Sequence, residues 1–177
     1  MSILPWFLAI NSKSGNDRGD TDTVRRIAGE LDKLEPSRAR FLAAFAYVLS
    51  RVAGADQHIS EVETAKMVEL LQKLGHLPES QATLVVEIAK NQHRLFGGTE
   101  NFLVTREFRE IASDQERREL LDCVFAVSAA DEAITSEEEA QIRQTASELG
   151  FSHADYVQAR LAYSDKRTVM KLPSTPR

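Results

Sequence analysis

Residues 52–75 read VAGADQHISEVETAKMVELLQKLG, and residues 127–150 read VSAADEAITSEEEAQIRQTASELG. A shift of 75 positions lays one stretch on the other without a gap. Val52 then meets Val127, Asp56 meets Asp131, and Ile59 meets Ile134. Ser60 meets Thr135, Glu63 meets Glu138, Ala65 meets Ala140, Leu74 meets Leu149 and Gly75 meets Gly150. Chance supplies alanines easily; it does not supply Asp, Ile, Ser/Thr, Glu and Gly in one register. Each copy reads as a helix end, a polar turn and a second helix. Such an αα-hairpin buries its apolar face only against a neighbour, so two copies packed about a pseudo-twofold axis would share one core.

Outward from the repeat, apolar residues keep helical spacing. Phe41, Leu42, Phe45, Val48, Leu49 and Val52 mark one buried face of a helix leading into the first copy. Alternating runs that would mark strands are missing. Punctuation separates eight helices at 21–34, 37–54, 60–74, 79–93, 100–112, 115–129, 135–149 and 153–164. Pro36 and Pro78 fall at helix starts, where a missing N–H costs little. Gly75 and Gly150 follow Leu74 and Leu149 as glycines follow helix ends. The fold class expected is all-α: a compact bundle of seven or eight helices from two pseudo-symmetric hairpins. The expected division is an apolar segment and flexible linker over 1–20, a helical domain over 21–164, and a loose tail over 165–177.

Composition narrows the function. The net charge of −5 disfavours a nucleic-acid partner, because phosphate binding needs a dense basic face. Cys123 is the lone cysteine, which removes an internal disulfide and a thiolate cage. It aligns with Val48 and reads as a small buried hydrophobe. The opening MSILPWFLAI is too short to span a bilayer and is interrupted by Pro5. It lacks the basic region and cleavage site of a secretory signal. It either docks on the core or makes a peripheral membrane or partner contact through Trp6 and Phe7. A cytoplasmic location, with a membrane association left open, is the expectation. No phosphate loop, Ser/His/Asp set or dinucleotide fingerprint appears, so an enzyme is not expected.

The turns carry what chemistry there is. Ser60…Glu63 and Thr135…Glu138 are both S/T-x-x-E capping boxes, with Ile59 and Ile134 placed as staple residues. Caps of this kind are worth about 0.5–2 kcal/mol and need no ligand. Asp56 and Asp131 are less easily explained, since each follows a helix C-terminus that disfavours an anion. An Asx-turn offsets that. So does a bound cation, held by Asp and Glu oxygens with nearby carbonyls. All-oxygen ligands select a hard ion, Ca²⁺ or Mg²⁺ before zinc. The turns are not EF-hands: position twelve from Asp56 is Met67, and from Asp131 is Ile142, where that loop needs a bidentate Glu. His58 has Ala133 as its counterpart and reads as an exposed turn residue.

The doubled Asp-x-x-Ile-Ser/Thr-x-x-Glu hairpin, spanning roughly Pro36 to Tyr163, resembles the tellurite-resistance TerB-like family. A related fold occurs at the N-terminus of a membrane-anchored DnaJ-type co-chaperone. The resemblance implies an all-α domain with its acids gathered at one metal site, here Asp56, Glu63, Asp131 and Glu138. It also implies service in stress-response assemblies, so protein partners are expected. Gln57 and Glu132 stand where the family commonly has Gly. The leading expectation is a non-enzymatic stress-response module that binds Ca²⁺ or another hard divalent cation. The alternative is a metal-free helical adaptor whose acids only cap helices.

Overall fold

The structure is a computed structural model that describes residues 18–52, 61–91, 101–130 and 134–166. Among these residues lie eight α-helices: α1 (Arg18–Asp32), α2 (Pro36–Val52), α3 (Glu61–Leu74), α4 (Glu79–Lys90), α5 (Asn101–Ile111), α6 (Asp114–Ala129), α7 (Ser136–Glu148) and α8 (His153–Leu161). A 3-10 turn at Ser164–Lys166 follows, and Ile134 makes a single β-bridge. The all-α expectation is met, and each expected helix has a counterpart whose ends agree within three residues. The apolar opening segment and the last eleven residues lie outside the described residues.

The bundle is built around α2. One apolar stripe was the expectation there, but every residue from Phe41 to Ser50 is buried. The reason is its neighbours: α1, α4, α5, α6 and α7 all pack against it. Ala39, Ala43, Ala44 and Ala46 let those helices approach on faces where a larger side chain would hold them off. A helix apolar all round is a central helix. Phe41 and Phe45 meet Phe108 of α5 with ring centroids 5.2 and 6.0 Å apart. Around α6 the same role falls to Phe125, stacked on Tyr163 at 5.4 Å. Cys123 is fully buried, as is its counterpart Val48. Burial, with Asp122 and Glu119 nearby, pushes its thiol up to about 12, so it stays protonated and inert.

Helix packing exchanges between the two halves. α3 packs on α6 while α7 packs on α2; α2 also packs on α4 as α6 does on α8. The four helices that enter and leave the two acidic turns therefore form one cluster.

The glycines that close the two copies do different jobs. Gly150 has φ +87° and completes a Schellman ending: its N–H donates to Ser147 O and that of Phe151 to Ala146 O, both at 3.0 Å. Gly75 was expected to do likewise. Instead the left-handed residue is His76, φ 49°, one position later, with Leu77 N donating to Leu71 O at 3.3 Å. Gly75 is needed for space. A Cβ there would stand 2.8 Å from the Leu71 carbonyl oxygen and 3.3 Å from the Cys123 sulfur. His76 Nδ1 sits 3.1 Å from Glu119 Oε1, which helps hold it in the unusual backbone region.

Candidate site at the paired acidic turns

The second turn can be followed on both flanks. α6 ends with Ala130 in a right-handed cap, its N–H bonded to Val127 O at 3.1 Å. After the turn, Ile134 is 1% exposed and belongs to the hydrophobic core. Thr135, extended at φ −72°, ψ 164°, then opens α7. Its hydroxyl oxygen accepts from Glu138 N at 3.2 Å, while Glu138 Oε2 accepts from Thr135 N and Thr135 Oγ1, both at 2.8 Å. The capping box read in the sequence is therefore present. Neither of the bonds to the carboxylate uses Oε1. Glu137, Glu138 and Glu139 all fall in the first turn of α7, where the helix dipole favours them.

Asp56 and Asp131 lie outside the described residues, as do His58, Ser60 and Glu132. Glu63 lies on α3, but its side chain is not among the described ones. No group of three or more His, Cys, Asp or Glu residues able to hold a metal occurs among the described residues.

The flanks of the two turns do meet. Lys66 Nζ, on α3, donates to Ala130 O at 3.2 Å, directly before Asp131. Lys66 is five residues beyond Glu61, where α3 starts; that is about 7.5 Å along the helix axis. An ammonium thus already serves the carbonyl end of α6, where the helix dipole favours a cation.

Beside the first turn lies a feature the sequence did not announce. Arg51, the penultimate residue of α2, reaches Glu148 at the end of α7: Nη1 to Oε2 is 2.6 Å and Nη2 to Oε1 is 3.4 Å. Arg51 Nη1 also donates to Thr105 Oγ1 of α5 at 3.0 Å, and Gln144 Nε2 donates to Glu148 Oε1 at 2.9 Å. The two charged side chains are only 6% and 12% exposed. Burial pushes the Glu148 carboxyl up, but the bonds from Arg51 and Gln144, the Arg51 charge and Thr105 outweigh it and hold it below the ordinary value. This network ties α2, α5 and α7 together. Its partners are 97 residues apart in the chain, and no local pattern links them.

Two further capping boxes went unread, although one had the same local signature. Ser113 with Glu116 opens α6, and Ser152 with Asp155 opens α8. The first is an S-x-x-E; the second uses Asp, whose shorter arm hides it from that pattern.

An all-helical bundle of this kind, with a repeated hairpin in its sequence, defines a small helical module. The chain belongs to the family of the tellurite resistance protein TerB, whose model matches residues 41–161. That match runs from the second turn of α2 to the end of α8 and takes in both acidic turns. Neither a curated protein nor a solved structure matches the chain.

Proposed function

We propose that the chain is a non-enzymatic TerB-like stress-response module that binds a hard divalent cation, Ca²⁺ foremost, at its paired acidic turns. Asp56, Glu63, Asp131 and Glu138 are the ligands, and the module works through protein partners. The observation that carries the reading is the meeting of the two turns' flanks. α3 lies on α6, α7 lies on α2, and Lys66 bonds the carbonyl before Asp131. Two acids in one loop make a weak site, whereas four pooled from two adjoining loops supply the charge and oxygen count a hard ion needs. Glu138 fits this role, since its capping bonds occupy Oε2 and not Oε1.

The second reading has its own support. A capping box explains Glu138 fully, and Lys66 already supplies a positive charge at the turn. On that reading the domain is a metal-free adaptor. Calorimetric titration with Ca²⁺, Mg²⁺ and Mn²⁺ separates the two. A ligand that binds only the native state raises its stability, by about 2.7 kcal/mol at one hundred times Kd. Binding that disappears in Asp56→Asn and Asp131→Asn, with both variants folded, supports the cation site. No heat and no change in melting temperature at millimolar ion would sink it.

A further inference from the structure

α8 lies across α6 and α7 and leaves a groove of about 280 Å³ against α6. That is below the roughly 300–1,000 Å³ of ordinary cofactor pockets, so a bound small molecule is a poor fit. Its lining is mixed: Phe151, Ala159 and Ala162 are apolar, while Arg118, Asp122 and Asp155 carry charge. Arg118 is already engaged, 4.0 Å from Asp155 Oδ1 and 5.9 Å from the centre of the Phe151 ring. Asp122 is not: no ion pair of its carboxylate occurs among the described residues. Burial pushes that carboxyl up, Arg118 only partly opposes it, and Glu119 adds a second like charge. The groove therefore suits a segment that brings positive charge together with a few apolar side chains.

The chain carries such a segment, and it starts beside the groove. Ala162 lines the groove and Lys166 is four residues further on. Residues 167–177 read RTVMKLPSTPR, with Arg167, Lys171 and Arg177, no acid, and an apolar stretch at Val169, Met170 and Leu172. The apolar segment at the other end of the chain lacks this charge, with Lys13 and Asp17 the charged side chains of residues 1–17. Reach is ample. Eleven extended residues span up to about 36 Å, against about 13.5 Å for the nine residues of α8. We infer that residues 167–177 fold back into the α6–α8 groove, setting their basic side chains against Asp122 and Asp155 and the Val169–Leu172 stretch on Phe151 and the two alanines. A tethered occupant holds such a site by proximity even when its intrinsic affinity is weak.

A spin label on the full chain tests this. The buried thiol of Cys123 is unreactive, so Ser174→Cys is labelled alone. Amide signals of Gln158, Ala159 and Ala162 should broaden selectively, and the broadening should fall several-fold in Asp122→Lys. If that variant unfolds, raising salt to about 1 M, where the Debye length is about 3 Å, should give the same loss in the parent chain. A free peptide of the 167–177 sequence should also bind a chain ended at Lys166 more tightly than the full chain. Broadening spread evenly over the surface, or centred on another face, overturns the inference. Equal peptide affinity for both chains, or none for either, overturns it too and leaves the groove to a separate partner.

Discussion

The two copies of the hairpin share a register but not a physics. Where the first copy ends, Gly75 gives up its side chain so that α3 can approach Cys123 on α6, and His76 takes the left-handed turn. Where the second ends, Gly150 takes the turn itself. Charge differs as well. Glu148 at the end of the second copy is buried on Arg51; its counterpart Lys73 sits at the surface, 2.5 Å from Glu69 on its own helix. Arg51 in turn aligns with the uncharged Ala126. The repeat thus fixes where helices begin and end, while each copy solves its own packing problem.

The ion pair should show the largest contrast. Removing one partner of a buried pair strands the other charge, which costs about 3–5 kcal/mol. Glu148→Leu should therefore lower stability by that order in chemical denaturation. Lys73→Leu, which breaks an exposed pair, should stay within about 0.5 kcal/mol. Equal losses in the two variants would show the Arg51 contact to be ornamental. The pair also has a pH signature. A carboxyl whose folded value is depressed contributes stability that is complete above the ordinary value of 4.5 and is lost as pH falls through the folded value. The parent should lose stability over that acid range, and Glu148→Leu should lose less there.

The glycines come next, with effects of about 1–3 kcal/mol. At Gly75 the obstacle is volume, so Gly75→Ala and Gly75→Asn should both destabilise, Asn more. Cys123→Ala should recover part of the Gly75→Ala loss, since the sulfur is one of the atoms a Cβ there would crowd. At Gly150 the obstacle is the dihedral. Asn tolerates the left-handed region better than Val, so Gly150→Asn should be milder than Gly150→Val. Its nearest atom is the end of the Arg109 side chain, which can move. Thermal melts of these four glycine variants, Cys123→Ala and the two double variants decide this. Rescue of Gly150→Val by Cys123→Ala would contradict the assignment.

These contrasts mark what was legible beforehand. The eight helices followed from periodicity and punctuation, because each signal is local. The repeat located the Thr135–Glu138 capping box for the same reason. What escaped depended on tertiary partners. The tight space at Gly75 comes in part from the Cys123 sulfur, 48 positions away in sequence, 3.3 Å from where a Cβ would stand. Full burial of α2 required knowing that five helices surround it. Arg51 and Glu148 pair across 97 positions, where no local pattern can join them. Of the candidate site, the cap on Glu138 was legible, while the approach of Lys66 to Ala130 was not.

The smallest contrast is the one that separates the two functional readings. Ser113 and Thr135 open α6 and α7 with the same capping box, but only Thr135 belongs to an acidic turn. Ser113→Ala and Thr135→Ala should each cost about 0.5–2 kcal/mol without added metal. If the acids of the turn only cap, Ca²⁺ changes neither value, and Glu138→Gln behaves as Glu116→Gln does. If the turns hold a cation, Ca²⁺ should stabilise the parent and Glu116→Gln alike, but should lose much of its effect on Glu138→Gln. Lys66→Met adds a second check, because an ammonium bonded beside Asp131 repels an incoming cation. The metal reading expects that variant to bind Ca²⁺ more tightly than the parent, and the capping reading expects no Ca²⁺ binding in either. Unchanged or weaker Ca²⁺ affinity in a folded Lys66→Met chain would place the cation away from the Lys66–Ala130 contact and detach Asp131 from the site.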